Sequence, residues 1–199
     1  MITRTLPKKL ARRSETGVSA VEFALIAPVM VAMLFGAVEA SLAVTMDRKV
    51  TIAASTVGDL VAQDSEVTCA RLQSIFAVSR TVFAPYSGVP ASISVAGLKL
   101  DGTTPKVEWS VIVVPDGDGN PNNDCQPSPA YPLNSVVPIG ADLFATNGGL
   151  VVGRVEYVYQ SVGTSFFASP ITLTERFYLR PRQSAKVRCT GGPTATGCV

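Results

Sequence analysis

Histidine is absent from the 199 residues, which removes the commonest general base near neutral pH and the commonest transition-metal ligand. Hydrolase triads built on histidine are excluded, and an envelope enzyme would need a carboxylate pair or a Ser-Lys arrangement that no spacing here marks out. Charge is scarce as well, at 16% of residues against 47% apolar, a balance that excludes a disordered chain. The net charge of +2 is too small to imply a nucleic-acid partner. Cysteine occurs four times, at Cys69, Cys125, Cys189 and Cys198, with no C-x-x-C pair, which argues against a zinc ribbon or a thioredoxin-type site.

What is present is uneven. Five of the seventeen basic residues, Arg4, Lys8, Lys9, Arg12 and Arg13, fall in the first thirteen positions. From Val18 to Met46 only Glu22 and Glu39 carry charge, and sixteen uncharged residues separate them. At about 1.5 Å rise per residue, Val18 to Val44 extends roughly 40 Å as a helix, enough to cross a hydrocarbon core with some tilt. The basic cluster precedes the run, so the positive-inside rule places residues 1–17 in the cytoplasm and sends the bulk of the chain across, N-in and C-out. A signal peptide shares a basic region before an apolar stretch, but this run is longer than an ordinary h-region and the cleavage pattern after it is weak. Pro28 cannot donate to the carbonyl of Ala24, so a kink or local loosening is expected there. Small residues, with Gly36 and Ala40 at four-residue spacing, permit close helix packing.

Glu22 is the anomaly. A carboxylate at the centre of a membrane helix costs roughly 2.5 to 3.5 kcal/mol and less near the ends. No Lys or Arg occurs between Val18 and Asp47, so a cation must come from another chain, from the upstream cluster, or from a charge made after translation. Cleavage after Gly17 makes one, since the new α-amino group on Val18 is cationic below a pKa of about 8.

Gly17, four residues, then Glu22-Phe23 before an uninterrupted apolar segment resembles the prepilin peptidase site of type IVb pilins and of Tad (Flp) pilus pseudopilins. The resemblance implies removal of the leader on the cytoplasmic side and retention of the apolar segment as the core helix of a filament. It covers about residues 12 to 45. A looser likeness in "VEYVYQ" (155–160) and "FYLRPRQSAKV" (177–187) is similar to the end of a TadE-like domain. The length beyond the span resembles TadE and TadF pseudopilins rather than the very short major Flp pilin. One departure is that Glu15 and Thr16 stand between Arg13 and Gly17, so the leader is not basic up to the cut. Val18 and Glu22 lie one helical turn apart, so the amine faces its own glutamate; in the family the analogous carboxylate meets a neighbour's amine. Both geometries remain open.

Further along, Val50, Ala53, Ala54, Val57, Leu60 and Val61 recur at helical spacing, and a second helix is expected to hold Leu72, Ile75, Phe76, Val82 and Phe83 before Pro85. From residue 91 the period becomes two: Ile93 and Val95; Val107, Trp109, Val111 and Val113; Val155, Tyr157 and Tyr159; Ile171, Leu173, Phe177 and Leu179. Four strands of a mainly antiparallel sheet follow. The fold class is therefore α+β: a long N-terminal transmembrane helix continuing into an exported, pilin-like domain. The expected divisions are the basic leader 1–17, the membrane helix 18–46, a helical continuation and second helix 47–85, a sheet domain 86–188 with a long exposed connection at 115–149, and a C-terminal loop 189–199. Four cysteines allow three pairings; Cys189 with Cys198, closing a short glycine-rich ring, and Cys69 with Cys125 are favoured over the others and over free thiols.

"DGDGNPNND" gathers Asp116, Asp118, Asn120 and Asp124 like the opening of a calcium loop, but Pro121 stands where the turn glycine is needed and Pro127 replaces the closing glutamate. A solvated turn is favoured, with weak calcium binding as the alternative; no cofactor is expected. Taken with the resemblance, the expected function is structural: a TadE-like minor pseudopilin in the bacterial inner membrane, its domain in the periplasm or in a pilus at the cell surface. The resemblance implies as partners a prepilin peptidase, other Tad pilins and pseudopilins, the inner-membrane assembly machinery and lipid. The alternative is an unprocessed single-pass protein whose exported domain binds a ligand or partner.

Overall fold

The computed structural model describes residues 15–84, 91–113, 125–146, 148–160 and 170–198. It divides into two units, Met1–Leu42 and Ala43–Val199. Helix α1, Glu15–Ala62, contributes to both, and its helical assignment runs unbroken through Pro28.

Within the first unit the helix is apolar all round. Val18, Phe23, Leu25, Ile26, Met33, Leu34 and Phe35 are each more than half exposed. The most apolar 18-residue window reaches a mean hydropathy of 2.2, and this is the one described helix long and apolar enough to cross a membrane. Uniform exposure of large apolar side chains is stable in lipid, not in water.

In the second unit the pattern becomes one-sided. Met46, Val50, Ala53, Ala54, Val57 and Val61 are buried, a stripe that repeats every three or four residues. Strand β1 (Glu66–Thr68) leads directly into helix α2 (Cys69–Arg80), whose N-cap Thr68 accepts a hydrogen bond from the Arg71 amide at 3.2 Å. The second helix is shorter than its apolar pattern implied, because Val82 and Phe83 lie in a separate 3-10 turn, Thr81–Phe83. Lys49 Nζ donates to the carbonyls of Val82 and Ala84 at 2.8 and 2.7 Å, satisfying acceptors that this turn leaves open.

Strands β2 (Ala91–Asp101), β3 (Thr104–Val113), β4 (Leu150–Tyr159) and β5 (Ile171–Leu179) form an antiparallel sheet in the order β3-β2-β4-β5. A hairpin joins β2 and β3 through Gly102, whose φ of +64° suits a residue without Cβ. One sheet face packs against the α1 stripe, with Ile93, Val95, Trp109, Val111, Val151, Val155 and Tyr157 in a common core with α1 and α2. The closest approach is glycine on glycine: a Cβ on Gly153 would lie 2.7 Å from the Ala54 carbonyl oxygen and 2.9 Å from the Gly58 nitrogen. The lone tryptophan, Trp109, lies over Gly97 and donates from Nε1 to the Val187 carbonyl at 2.9 Å.

Two segments differ from the sequence expectation. The connection assigned to 115–149 is not simply exposed: residues 125–146 cover the second sheet face, and Tyr131, Val137 and Phe144 bury against Ala96, Leu98, Val107 and Val152. Bridges from Gln126 to Ile112 and from Val136 to Lys106 anchor this cover along β3. Pro and Asn forbid a regular element there, yet scattered apolar residues still find a face that needs covering. The C-terminal region expected to be a loop contains a sixth strand, β6 (Arg188–Thr190), paired in parallel with β1, followed by a 3-10 turn at Thr194–Thr196. Three residues are too few to show alternation, so only the partner strand reveals them.

Candidate functional site

The first unit holds the residues that the sequence marks for processing. Gly17 and Val18 lie in the opening turns of α1, both exposed, with open space where a Gly17 side chain would be. Glu22 is four positions beyond Val18 on the same helical face, about 6 Å along the axis. Phe23 is 70% exposed beside it. The ion pairs among the described residues all lie within the second unit, and none involves Glu22. An acid at the head of an apolar helix therefore stands one turn from Val18 with no cation paired to it among the described residues.

Residues 17–59 match the family model of TadE-like proteins. The matched segment begins at Gly17 and runs along α1 almost to its end. The match and the one described helix long and apolar enough to cross a membrane fall on the same stretch of chain. No curated protein matches the chain, and no solved structure does.

In the second unit the four cysteines form two disulfides, Cys69–Cys125 and Cys189–Cys198, with Cα separations of 6.0 and 4.5 Å. Cys69 opens α2 and Cys125 opens the covering segment, so the first bond ties that cover to the helical layer. The second closes a ring of nine residues' separation beside β3, where Gly197, at φ +76°, lies against the backbone of Glu108 and Trp109. Asp116, Asp118, Asn120 and Asp124, the weak calcium candidate, lie outside the described residues. Among the described residues no cluster of acidic or cysteine side chains could hold a metal.

Ion pairs brace the ends of the core. Arg182 pairs with Asp59 in the last turn of α1, while its amide donates to the Ala62 carbonyl at 2.8 Å. Arg71 meets Asp64 at 2.9 Å and Lys186 meets Glu108 at 2.5 Å. At the hairpin, the hydrogen bond and charge of Lys106 hold the Asp101 carboxyl below the usual carboxylate range. Sequence reasoning missed a further polar group: Ser110, Ser128, Tyr131 and Arg154 each bury a polar atom without a hydrogen-bond partner among the described residues. No motif signals them, since they come from two strands and the covering segment.

Proposed function

We propose that the chain is a minor pseudopilin of a bacterial Tad (Flp) pilus, made with a basic cytoplasmic leader and cut between Gly17 and Val18 by a prepilin peptidase. The observation that carries this reading is the TadE-like match over residues 17–59, which starts at the proposed cleavage glycine and includes Glu22 and the whole apolar run. The chain is a substrate of the peptidase rather than an enzyme. It sits in the inner membrane, N-in and C-out, with the chain beyond the membrane helix 18–46 exported to the periplasm or carried into a pilus.

In this mechanism the leader's charges hold the N-terminus in the cytoplasm and the cut exchanges them for one α-ammonium on Val18. That cation neutralises Glu22, its own or a neighbouring subunit's, and lowers the cost of keeping the carboxylate among apolar helices. Once neutralised, the helix joins the sister helices of other pilins through its apolar surface. The folded domain offers its surfaces to other pilus components and to the inner-membrane assembly machinery.

N-terminal sequencing of the protein from native membranes, with and without the peptidase, tests the reading. A start at Val18 with the enzyme and an intact leader without it is the expected result. A mature protein that keeps Met1, or starts elsewhere, refutes it and leaves an unprocessed single-pass protein with an exported binding domain.

A further inference from the structure

The sheet face under residues 125–146 changes character along its length. Near the hairpin it is apolar, but one row further it presents Ser94, Arg154 and Arg176 side by side on β2, β4 and β5. Arg154 and Arg176 are direct cross-strand partners, an arrangement that is unfavourable for like charges unless something stands between them. Glu156 pairs with Arg154 Nη2 and accepts from Ser92 Oγ at 3.4 Å, so this carboxylate is engaged by Arg154 and Ser92. Arg176 is exposed and has no ion pair among the described residues.

Buried beside this pair are donors with nothing to donate to. Ser110 Oγ, Ser128 Oγ, Tyr131 Oη and Arg154 Nε have no partner among the described residues. The three hydroxyl residues are each at least nine-tenths buried. Their positions converge: Ser110 is opposite Ala96, Arg154 is opposite Ser94, and Tyr131 packs in the cluster that holds Ala96 and Val152, two residues before Arg154. The Ser128 carbonyl accepts from the Tyr131 amide at 3.2 Å, which places both hydroxyl residues on one turn of the cover. Buried polar groups are normally paired, and four unpaired ones on one face call for an acceptor-rich guest.

We propose that this face binds a small oxyanion, a phosphate or carboxylate group, whose oxygens accept from Tyr131 Oη and Arg154 Nε and whose charge is balanced by Arg176. The Arg154 side chain retains 23% exposure next to the exposed Arg176, so the guest enters from that side. Burial raises the Tyr131 pKa to about 12, against the opposing pull of Arg154 and Arg176, so its hydroxyl keeps its proton and remains a donor at physiological pH. Arginine supplies donors only, and its planar fork suits either oxyanion.

The test uses the full chain in an uncharged detergent. Sodium phosphate and, in a parallel series, sodium acetate replace sodium chloride at constant ionic strength, and the thermal midpoint is read from Trp109 fluorescence. The wild type is compared with Arg176→Gln, which changes an exposed residue, and with Tyr131→Phe. A saturable rise in midpoint with either anion, its half-point moved at least tenfold upward by Arg176→Gln and severalfold by Tyr131→Phe, supports the site; the effective anion tells a phosphate-bearing from a carboxylate-bearing ligand. General salting effects act on all three proteins alike and cancel in the comparison. No saturable rise with either anion, or an equal rise in wild type and Arg176→Gln, overturns the proposal and leaves the donors to buried water.

Discussion

Replacing Gly153 by alanine probes the contact that sets the spacing between α1 and the sheet. The added methyl would meet backbone atoms, the Ala54 oxygen at 2.7 Å, the Gly58 nitrogen at 2.9 Å and the Gly58 Cα at 3.1 Å. Backbone cannot rotate away, so α1 must lift by about half an ångström or more, and a gap of that size forfeits a quarter to a half of the dispersion well for the contacts it opens. Val50, Ala53, Ala54, Val57 and Val61 would all loosen together because they ride on the same rigid helix. Overpacking costs about 1 to 3 kcal/mol, and a backbone clash belongs at the upper end; the unfolded chain's lost freedom returns about 0.5 to 1, leaving a net loss of about 2 kcal/mol. For a domain of this size that lowers the midpoint by about 4 to 8 °C. Gly58→Ala is the control. Its methyl meets the tip of the Leu179 side chain, which can swing aside, with Gly153 no nearer than 3.7 Å. The helix gains about 0.8 to 1 kcal/mol in propensity, offsetting a rotamer cost of about 0.5 to 1.5 at Leu179, so the variant should be near neutral. Thermal or urea unfolding followed by the fluorescence of Trp109, the only tryptophan, measures both. If Gly58→Ala is the more damaging change, or Gly153→Ala shifts nothing, the close helix-sheet approach is wrong.

Removing the Cys69–Cys125 bond by a double serine substitution should cost about 4 kcal/mol and removing Cys189–Cys198 nearer 3, because a sequence separation of 56 against 9 closes the longer loop; comparison of urea midpoints checks the order. Tyr131, whose pKa is raised to about 12 by burial, prefers its neutral form in the folded state, so stability is fully present below pH 10 and falls as pH rises toward 12. Tyr131→Phe should flatten that alkaline limb and, in anion-free buffer at neutral pH, leave the protein at least as stable, since it deletes a buried hydroxyl without a partner. Glu22→Ala should leave membrane anchoring intact, measured by carbonate extraction, yet abolish or strongly reduce pilus assembly seen by electron microscopy; normal piliation would contradict the assigned charge neutralisation.

Much of the architecture was legible because it rests on local periodicity. The buried stripe on α1 is the same series of Val50, Ala53, Ala54, Val57 and Val61 that the spacing marks. Likewise, the alternation through Ile93, Val107 to Val113, Val155 to Tyr159 and Ile171 to Leu179 falls within the four strands of the sheet. The anomaly at Glu22 was visible for a similar reason, since a charge stands out wherever its neighbours have none. The cover at 125–146 was not visible, because Tyr131, Val137 and Phe144 are buried by a sheet face made elsewhere and follow no period of their own.

The order and spacing of residues alone determined that this chain has an apolar helix, a one-sided helical continuation and four alternating strands, since each depends on neighbours within a turn or two. Tertiary structure alone decided the strand order β3-β2-β4-β5, the parallel pairing of Glu66–Thr68 with Arg188–Thr190, the contact of Gly153 with α1, and the packing of Tyr131 in one cluster with Ala96 and Val152. Those contacts join segments far apart along the chain, and their energies arise from packing and desolvation that no local window contains.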